Sequence, residues 1–288
     1  MIIINLKGGT GNQLFQYALG RHLALKNNDA LKLDIDGLAR ANAVGDIYRP
    51  FCLSSLNTNK EIATAEEIKR LKYPYGLISK AWRWFNFKIL KRHNIYFDAK
   101  VLNWKGDIYL DGYWQSPKYF EAIRELLLTE LSLTVPLSPE ADYFSQLISK
   151  NRAVSLHVRR GDYIKNPRVA AEFGPCSISY YKNAMAEVEK NIPSPTYFVF
   201  SDDIEWVKQN LPLDDKEIFV KGENITDIEE LILMSKCQHN IIANSSFSWW
   251  GAWLNQNQNK IVIAPTPWFD KLPYDQELIP PSWIQLPK

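Results

Sequence analysis

Residues 153–163 read Ala-Val-Ser-Leu-His-Val-Arg-Arg-Gly-Asp-Tyr. Ala153–His157 is an apolar run of strand length, and Arg159, Arg160 and Gly161 follow it at once. A short apolar run ending in a glycine-bearing polar turn is how a buried parallel strand leaves its sheet. Ligands of open α/β sheets sit at the carboxyl ends of such strands. Two adjacent arginines there are costly unless they meet an anion, and the planar guanidinium suits phosphate because it makes paired hydrogen bonds. The competing reading is a solvated Arg/Asp pair, which contributes little. His157 lies two residues before Arg159 and so faces the same side of the strand.

The same rhythm of short apolar runs and amphipathic stretches extends both ways, as in βα units with a parallel sheet. Towards the C-terminus, strands are predicted at Tyr197–Phe200, Ile218–Val220, Asn240–Ala243 and Ile261–Ala264. Helices are predicted between them at Ser179–Lys190, Ile204–Gln209, Asp227–Cys237 and Phe247–Leu254. Towards the N-terminus, Ile2–Asn5, Ala30–Asp34 and Asp107–Leu110 read as strands. Asn12–Lys26 and Lys118–Glu130 read as helices, and Thr64 with Glu67 as a capping box. Leu133–Asn151, with Pro136 and Pro139, is the expected hinge, dividing the chain into 1–136 and 137–288. No fixed-period repeat or low-complexity tract is visible.

Composition narrows the function. The 288 residues carry 34 basic and 32 acidic side chains, a net charge of +2 that gives no nucleic-acid footprint. Three scattered cysteines, Cys52, Cys176 and Cys237, argue against a disulfide framework or zinc cluster and point to a reducing compartment. No secretory signal is recognised and no apolar run is long enough to span a membrane, so a cytoplasmic location is expected. The 10 Trp, 14 Tyr and 13 Phe can stack on sugar faces, although most are read as core.

Three further segments carry chemistry. Gly8-Gly-Thr-Gly-Asn-Gln13 follows the first strand, where glycines let a backbone approach a ligand at a helix N-terminus. It is neither a Walker loop nor a dinucleotide fingerprint, since Leu14 stands where the third glycine belongs. A tight turn without ligand competes with a site built on Gly9, Gly11, Asn12 and Gln13. Phe198-Val-Phe-Ser-Asp-Asp203 ends a strand. Asp202 there can accept from both donors of a guanine edge, while capping of the following helix is the alternative. Asn244-Ser-Ser-Phe-Ser-Trp-Trp-Gly-Ala-Trp253 sets hydroxyls at a helix start, a phosphate cradle without lysine, with its tryptophans read as core.

Two weaker signals remain. Asp34-Ile-Asp36 imitates an Asp-x-Asp metal site, against loop or cap use. Lys80–His93 interleaves basic and aromatic residues without an acid, which fits peripheral contact with an anionic membrane or an ordinary solvated helix.

Taken together, these motifs resemble the bacterial α-1,2-fucosyltransferases of glycosyltransferase family 11. Gly112-Tyr-Trp-Gln-Ser116 and Tyr180-Tyr181 also look like family segments, whereas Thr10 stands where the family usually has leucine. The resemblance spans nearly the whole chain except 37–107. It implies a GT-B-like fold of two Rossmann-like domains facing across a cleft, the first on the acceptor side and the second binding GDP-fucose. It implies inverting transfer of L-fucose to the 2-hydroxyl of a terminal galactoside during surface polysaccharide or O-antigen synthesis, with no metal or other cofactor. Arg159 would then stabilise the leaving diphosphate, with Arg160 supporting it or the fold. His157 and Asp202 would hold guanine, and Ser245, Ser246 and Phe247 would line the donor. Asn12 would reach the donor or acceptor, and Gln13, Tyr113 and Trp114 would serve the acceptor. Asp162, with Glu172 as alternative, would be the base. A fucosyltransferase of other linkage, a metal-dependent glycosyltransferase using Asp34 and Asp36, and a non-catalytic GDP- or glycan-binding module stay open.

Overall fold

A computed structural model describes residues 1–38, 50–72, 97–165, 170–171, 173–211, 213, 217–271 and 277–288. The basic–aromatic segment 80–93 and Glu172 lie outside the described residues. The chain divides into two compact units, Met1–Thr134 and Val135–Lys288.

The first unit runs β1 (Ile2–Asn5), α1 (Thr10–Asn27), β2 (Leu31–Asp34), α2 (Ala65–Lys72), β3 (Ile108–Leu110) and α3 (Arg124–Glu130), with short 3₁₀ turns between. Its sheet is parallel throughout in the order β2-β1-β3. β1 is central, so Ile2, Ile3 and Ile4 are fully buried. Helix α1 ends where Asn28 turns left-handed at φ 53 and returns its N–H to Ala24 and Leu25 carbonyls. Thr64 and Glu67 form the expected reciprocal cap: each side chain accepts from the other's backbone N–H, at 3.2 and 2.8 Å. The helix expected over Lys118–Glu130 is broken. Phe120, at φ −143 and ψ 6, splits it into 3₁₀ turns and α3, because the Phe120 ring is buried and packs on Phe15.

The second unit runs α4 (Pro139–Lys150), β4 (Ala153–Val158), α5 (Gly161–Lys165), α6 (Ile178–Glu189), β5 (Thr196–Ser201), α7 (Ile204–Asn210), β6 (Glu217–Phe219), α8 (Asp227–Lys236), β7 (His239–Ile241), α9 (Ser246–Leu254), β8 (Val262–Thr266) and β9 (Ile284–Pro287). The sheet order is β6-β5-β4-β7-β8-β9, all parallel. The chain winds outward from β4 to one edge, returns, and winds outward to the other. That is the doubly wound Rossmann order, with its switch between β4 and β7. All six residues of β4 are buried, as a central strand covered on both faces requires. Val154, Leu156 and Val158 pack under Tyr180, Tyr181 and Val188 on one face, while Phe198 and Phe200 meet Leu233 and Met234 on the other. Trp249 and Trp250 are fully buried and Trp253 nearly so, in line with their reading as core. A Cβ on Gly251 would stand 2.8 Å from Met234 Cβ, so glycine lets α8 and α9 approach. β9 is not expected from the sequence: Ile284-Gln-Leu-Pro is short, mostly exposed and proline-ended, and pairing with β8 alone makes it a strand.

Candidate functional site

In the second unit the site grows from the carboxyl ends of β4 and β7, either side of the switch. Register Leu156↔Ile241, carried three residues on, sets Arg159 level with Asn244. Tyr163 bridges the two exits, its hydroxyl donating to the Asn244 carbonyl at 2.9 Å. The His157 and Phe247 rings lie 5.8 Å apart, joining the end of β4 to the start of α9.

Arg159 and Arg160 have different tasks. The Arg160 side chain turns back to Asp203, at 3.2 Å, and covers the Trp206 ring at 3.9 Å. That cation–π and ion-pair arrangement fixes it to α7, so it supports the turn and not a ligand. Arg159 is about a quarter exposed, pairs with Asp202 at 3.0 Å and stands 6.0 Å from the Tyr163 ring centre.

Asp202 is not placed as expected. One carboxylate oxygen accepts from the Arg160 N–H at 2.9 Å, the other from the Gly161 N–H at 3.0 Å and from Arg159. Both oxygens help to shape the arginine turn, a task that the sequence reading of Asp202 as the guanine partner did not include. Asp203 takes the capping role by accepting from Trp206 N–H. A carboxylate near Asp202 that sequence reasoning did not single out is Glu230, in the first turn of α8. Burial, then the nearby Asp227 and Asp202 charges, push its carboxyl up to about 7. Its signal was weak, because acids in a first helical turn are ordinary dipole partners and Asp227, Glu229 and Glu230 all sit there. Glu229 closes the capping box with Thr226 and accepts from Ser138 N–H. Glu229 is thus committed to the cap, while Glu230 lies near enough to Asp202 for the two charges to interact.

His157 is 5% exposed, and burial followed by the Arg159 charge holds its imidazole down to about 3. It is therefore neutral, and its Nδ1 makes no hydrogen bond among the described residues. Ser245 caps α9 by accepting from Phe247 N–H at 3.3 Å, and Ser246 opens the helix. A helix N-terminus opened by serine hydroxyls offers hydrogen-bond donors to an anion. Asp162 belongs to α5 by its backbone, and its side chain lies outside the described residues.

The first unit has its own polar cluster, where β1 and β3 end. Gln16 stitches the two exits together, accepting from Lys7 N–H and donating to the Lys7 and Gly112 carbonyls. Asp111 accepts from Lys7 Nζ at 2.8 Å and Asn5 Nδ2 at 3.0 Å. Burial is the largest influence on the Asp111 carboxyl and pushes it up, but the Lys7 charge, the hydrogen bonds from Lys7 and Asn5 and the Lys72 charge together hold the group below the usual range. Asn12 accepts from Gln115 Nε2 at 2.7 Å, and Lys7 lies over the Tyr113 ring at 5.0 Å. The glycine with the special backbone is Gly8, at φ +78, whereas Gly9 caps α1 and Gly11 is buried within it. Gln13 is corrected: fully buried, it donates to the Gly8 and Pro50 carbonyls and accepts from Cys52 N–H. An amide so fully used holds the interior and does not touch an acceptor. Trp114 is 3% exposed and packs edge-on against Tyr119, so its indole is core in this structure.

Asp34 is also decided by its partners. It is fully buried, accepts from Tyr109 Oη at 2.5 Å and Asp36 N–H at 3.0 Å, and pairs with Lys72 at 3.6 Å. These contacts make Asp34 a brace for the unit. Among the described residues no group of three His, Cys, Asp or Glu side chains is arranged to hold a metal ion, and no helix is long and apolar enough to cross a membrane.

Comparison with known proteins gives the family and the fold. Residues 50–286 match the family described as Glycosyl transferase family 11. The chain is 32% identical to an alpha-1,2-colitosyltransferase of Escherichia coli, over 100% of this chain and 99% of that protein. It is also 32% identical to the O-antigen biosynthesis glycosyltransferase WbnK of Escherichia coli, over 98% of this chain and 99% of the other. Among solved structures, the NodZ alpha-1,6-fucosyltransferase soaked with GDP-fucose superposes with a TM-score of 0.51 at 14% identity, over 88% of this chain and 91% of that one. That likeness shows the GT-B-like α/β fold.

Proposed function

The chain belongs to glycosyl transferase family 11, and from that premise we propose that it transfers L-fucose from GDP-fucose to the 2-hydroxyl of a galactose-containing glycan, with inversion. The observation that carries this reading is the meeting, at the β4/β7 switch, of the Arg159 guanidinium, neutral His157 and the serine-opened start of α9. In such a transfer the acceptor oxygen bonds to the anomeric carbon as the bond to the β-phosphate oxygen breaks. Positive charge builds on the sugar and negative charge on the departing GDP.

Arg159 and the Ser245–Ser246 turn address the negative charge, and each well-aimed donor is worth about 3 kcal/mol. Glu230, not Asp202, takes the guanine N1–H and 2-amino donors in this reading, and His157 serves the same nucleotide. An ionised carboxylate matches that donor pair, and a protonated one does not. The acceptor proton goes to Asp162, whose backbone stands next to Gly161 at the same sheet edge. A loose transition state asks little of that base. No step needs a metal. Tyr113 and Asn12 serve the acceptor, and the acceptor belongs to O-antigen or related surface glycan assembly, as the name of one Escherichia coli relative suggests.

A second reading is colitosyl transfer, favoured by the full-length match to the colitosyltransferase. A panel of GDP-fucose and the corresponding colitose donor with galactosides, the product linkage read by NMR, separates the two. Arg159→Ala should lower transfer about 100-fold or more. Transfer left intact in that variant would refute the phosphate assignment. Retained GDP binding with no transfer by the wild-type chain to any acceptor would favour a binding module instead.

A further inference from the structure

Lys288 has a side chain only 6% exposed. Its ammonium donates to the carbonyls of Phe173, Gly174 and Trp268 and pairs with Asp270 at 2.7 Å. The same three carbonyls receive the Asn244 amide, at 2.9, 2.8 and 3.1 Å. Three carbonyl dipoles converging on one point favour a cation, and an ammonium with three donors suits them. Gly174, at φ +58, has no room for a side chain, because Asp270 occupies the place of its Cβ. The cage therefore ties three separate stretches: residues 173–174, residues 268–270 and the residue following β9.

Its position gives it a task. Residues 173–174 follow the arginine turn in the chain, ahead of α6. Asp202 holds the arginine turn through the Arg160 and Gly161 N–H groups. The Asn244 amide and the Lys288 ammonium hold residues 173–174. Asn244 is also the residue before Ser245, and its carbonyl receives Tyr163, which faces Arg159. We propose that Lys288 is a positioning residue for the transfer, its ammonium locking the carbonyl cage so that Asn244 keeps the arginine turn and the serine turn at their mutual spacing. The functional part of this inference rests on the donor reading above; the locking itself does not.

Two readouts keep those parts apart. In Lys288→Met, hydrogen exchange over residues 159–165 and 173–174 without ligand should quicken about tenfold, with the strands of the first unit unchanged. GDP affinity measured by calorimetry should fall about tenfold, and transfer by about 10- to 100-fold, as expected for reacting groups displaced by a fraction of an ångström to an ångström. Should Lys288→Met not fold, Lys288→Ala provides the second test. Added propylammonium should restore its GDP binding, while tetramethylammonium at equal concentration should not. Wild-type exchange and GDP affinity in Lys288→Met, or equal effects of the two ammonium ions on Lys288→Ala, would overturn the proposal. If the wild-type chain fails to bind GDP, the donor reading falls, and the exchange rates still judge the lock.

Discussion

Gly161→Ala adds one methyl group and should disable the arginine turn. A Cβ at Gly161 would stand 2.6 Å from Asp202 Oδ2 and 3.2 Å from its Cγ. Ordinary contact begins near 3.4 Å, so the carboxylate must retreat by about 0.8 Å. Its bonds to Arg160 N–H, Gly161 N–H and Arg159 are 2.9 to 3.0 Å long. A retreat of that size takes them past hydrogen-bond range. Bonds to a charged group are each worth about 1.5–3 kcal/mol, though water recovers part of that at a partly exposed carboxylate. Alanine's better helix propensity at the start of α5 returns at most about 1 kcal/mol. The loss wins, with a net cost of about 2 kcal/mol and a Tm lower by roughly 4–8 °C. Transfer should fall about 100-fold as Arg159 loses its orientation. The assay is a double-mutant cycle with Asp202→Ala, read by initial rate of GDP release and by melting temperature. Once Asp202 is gone the methyl group has nothing to displace, so the double variant should match Asp202→Ala alone. A Gly161→Ala enzyme within twofold of wild type, or costs that simply add in the cycle, would refute this reasoning.

Glu230 makes the donor affinity depend on pH. With its carboxyl pushed up to about 7 in the ligand-free protein, the ionised form that guanine needs is lost as pH falls. GDP affinity should weaken towards a limit of about tenfold per pH unit below 7. Glu230→Gln should flatten that profile and lower discrimination between GDP and inosine diphosphate; a flat wild-type profile would count against the assignment. The sign for stability is opposite. A carboxyl raised above its unfolded value contributes stability below about pH 4.5 and loses it as pH rises through 7, so Glu230→Gln should melt higher than wild type at about pH 8. Gln13→Ala leaves two carbonyls and the Cys52 N–H unsatisfied, so it should cost about 2–3 kcal/mol in denaturant titration with little change in acceptor KM. Transfer should persist in EDTA, and Asp34→Asn should lower stability more than kcat; manganese-restorable loss would favour the metal-dependent alternative.

Local chemistry made much of this protein legible in its amino-acid order. Apolar runs and capping residues placed β1, α1, β4, α6, β5 and α7 within a residue or two, because propensity and capping act over a single turn, whereas the short α5 was not expected. The arginine pair and the serine turn could likewise be read as strand-exit features. Sheet order could not. β9 is a strand only because β8 lies beside it, and the helix expected over Lys118–Glu130 breaks because Phe120 turns into the core. Side-chain assignment was decided by tertiary structure too. Asp202, Asp203 and Glu229 are three acids near helix starts, and their hydrogen-bond partners separate turn support at Asp202 from capping at Asp203 and Glu229. Gln13 and Asp34 have the side chains of a site, but burial turned them into braces. A polar side chain's task is set by which donors and acceptors reach it. Residues 42 or 91 positions apart in the chain become neighbours only when the sheet forms.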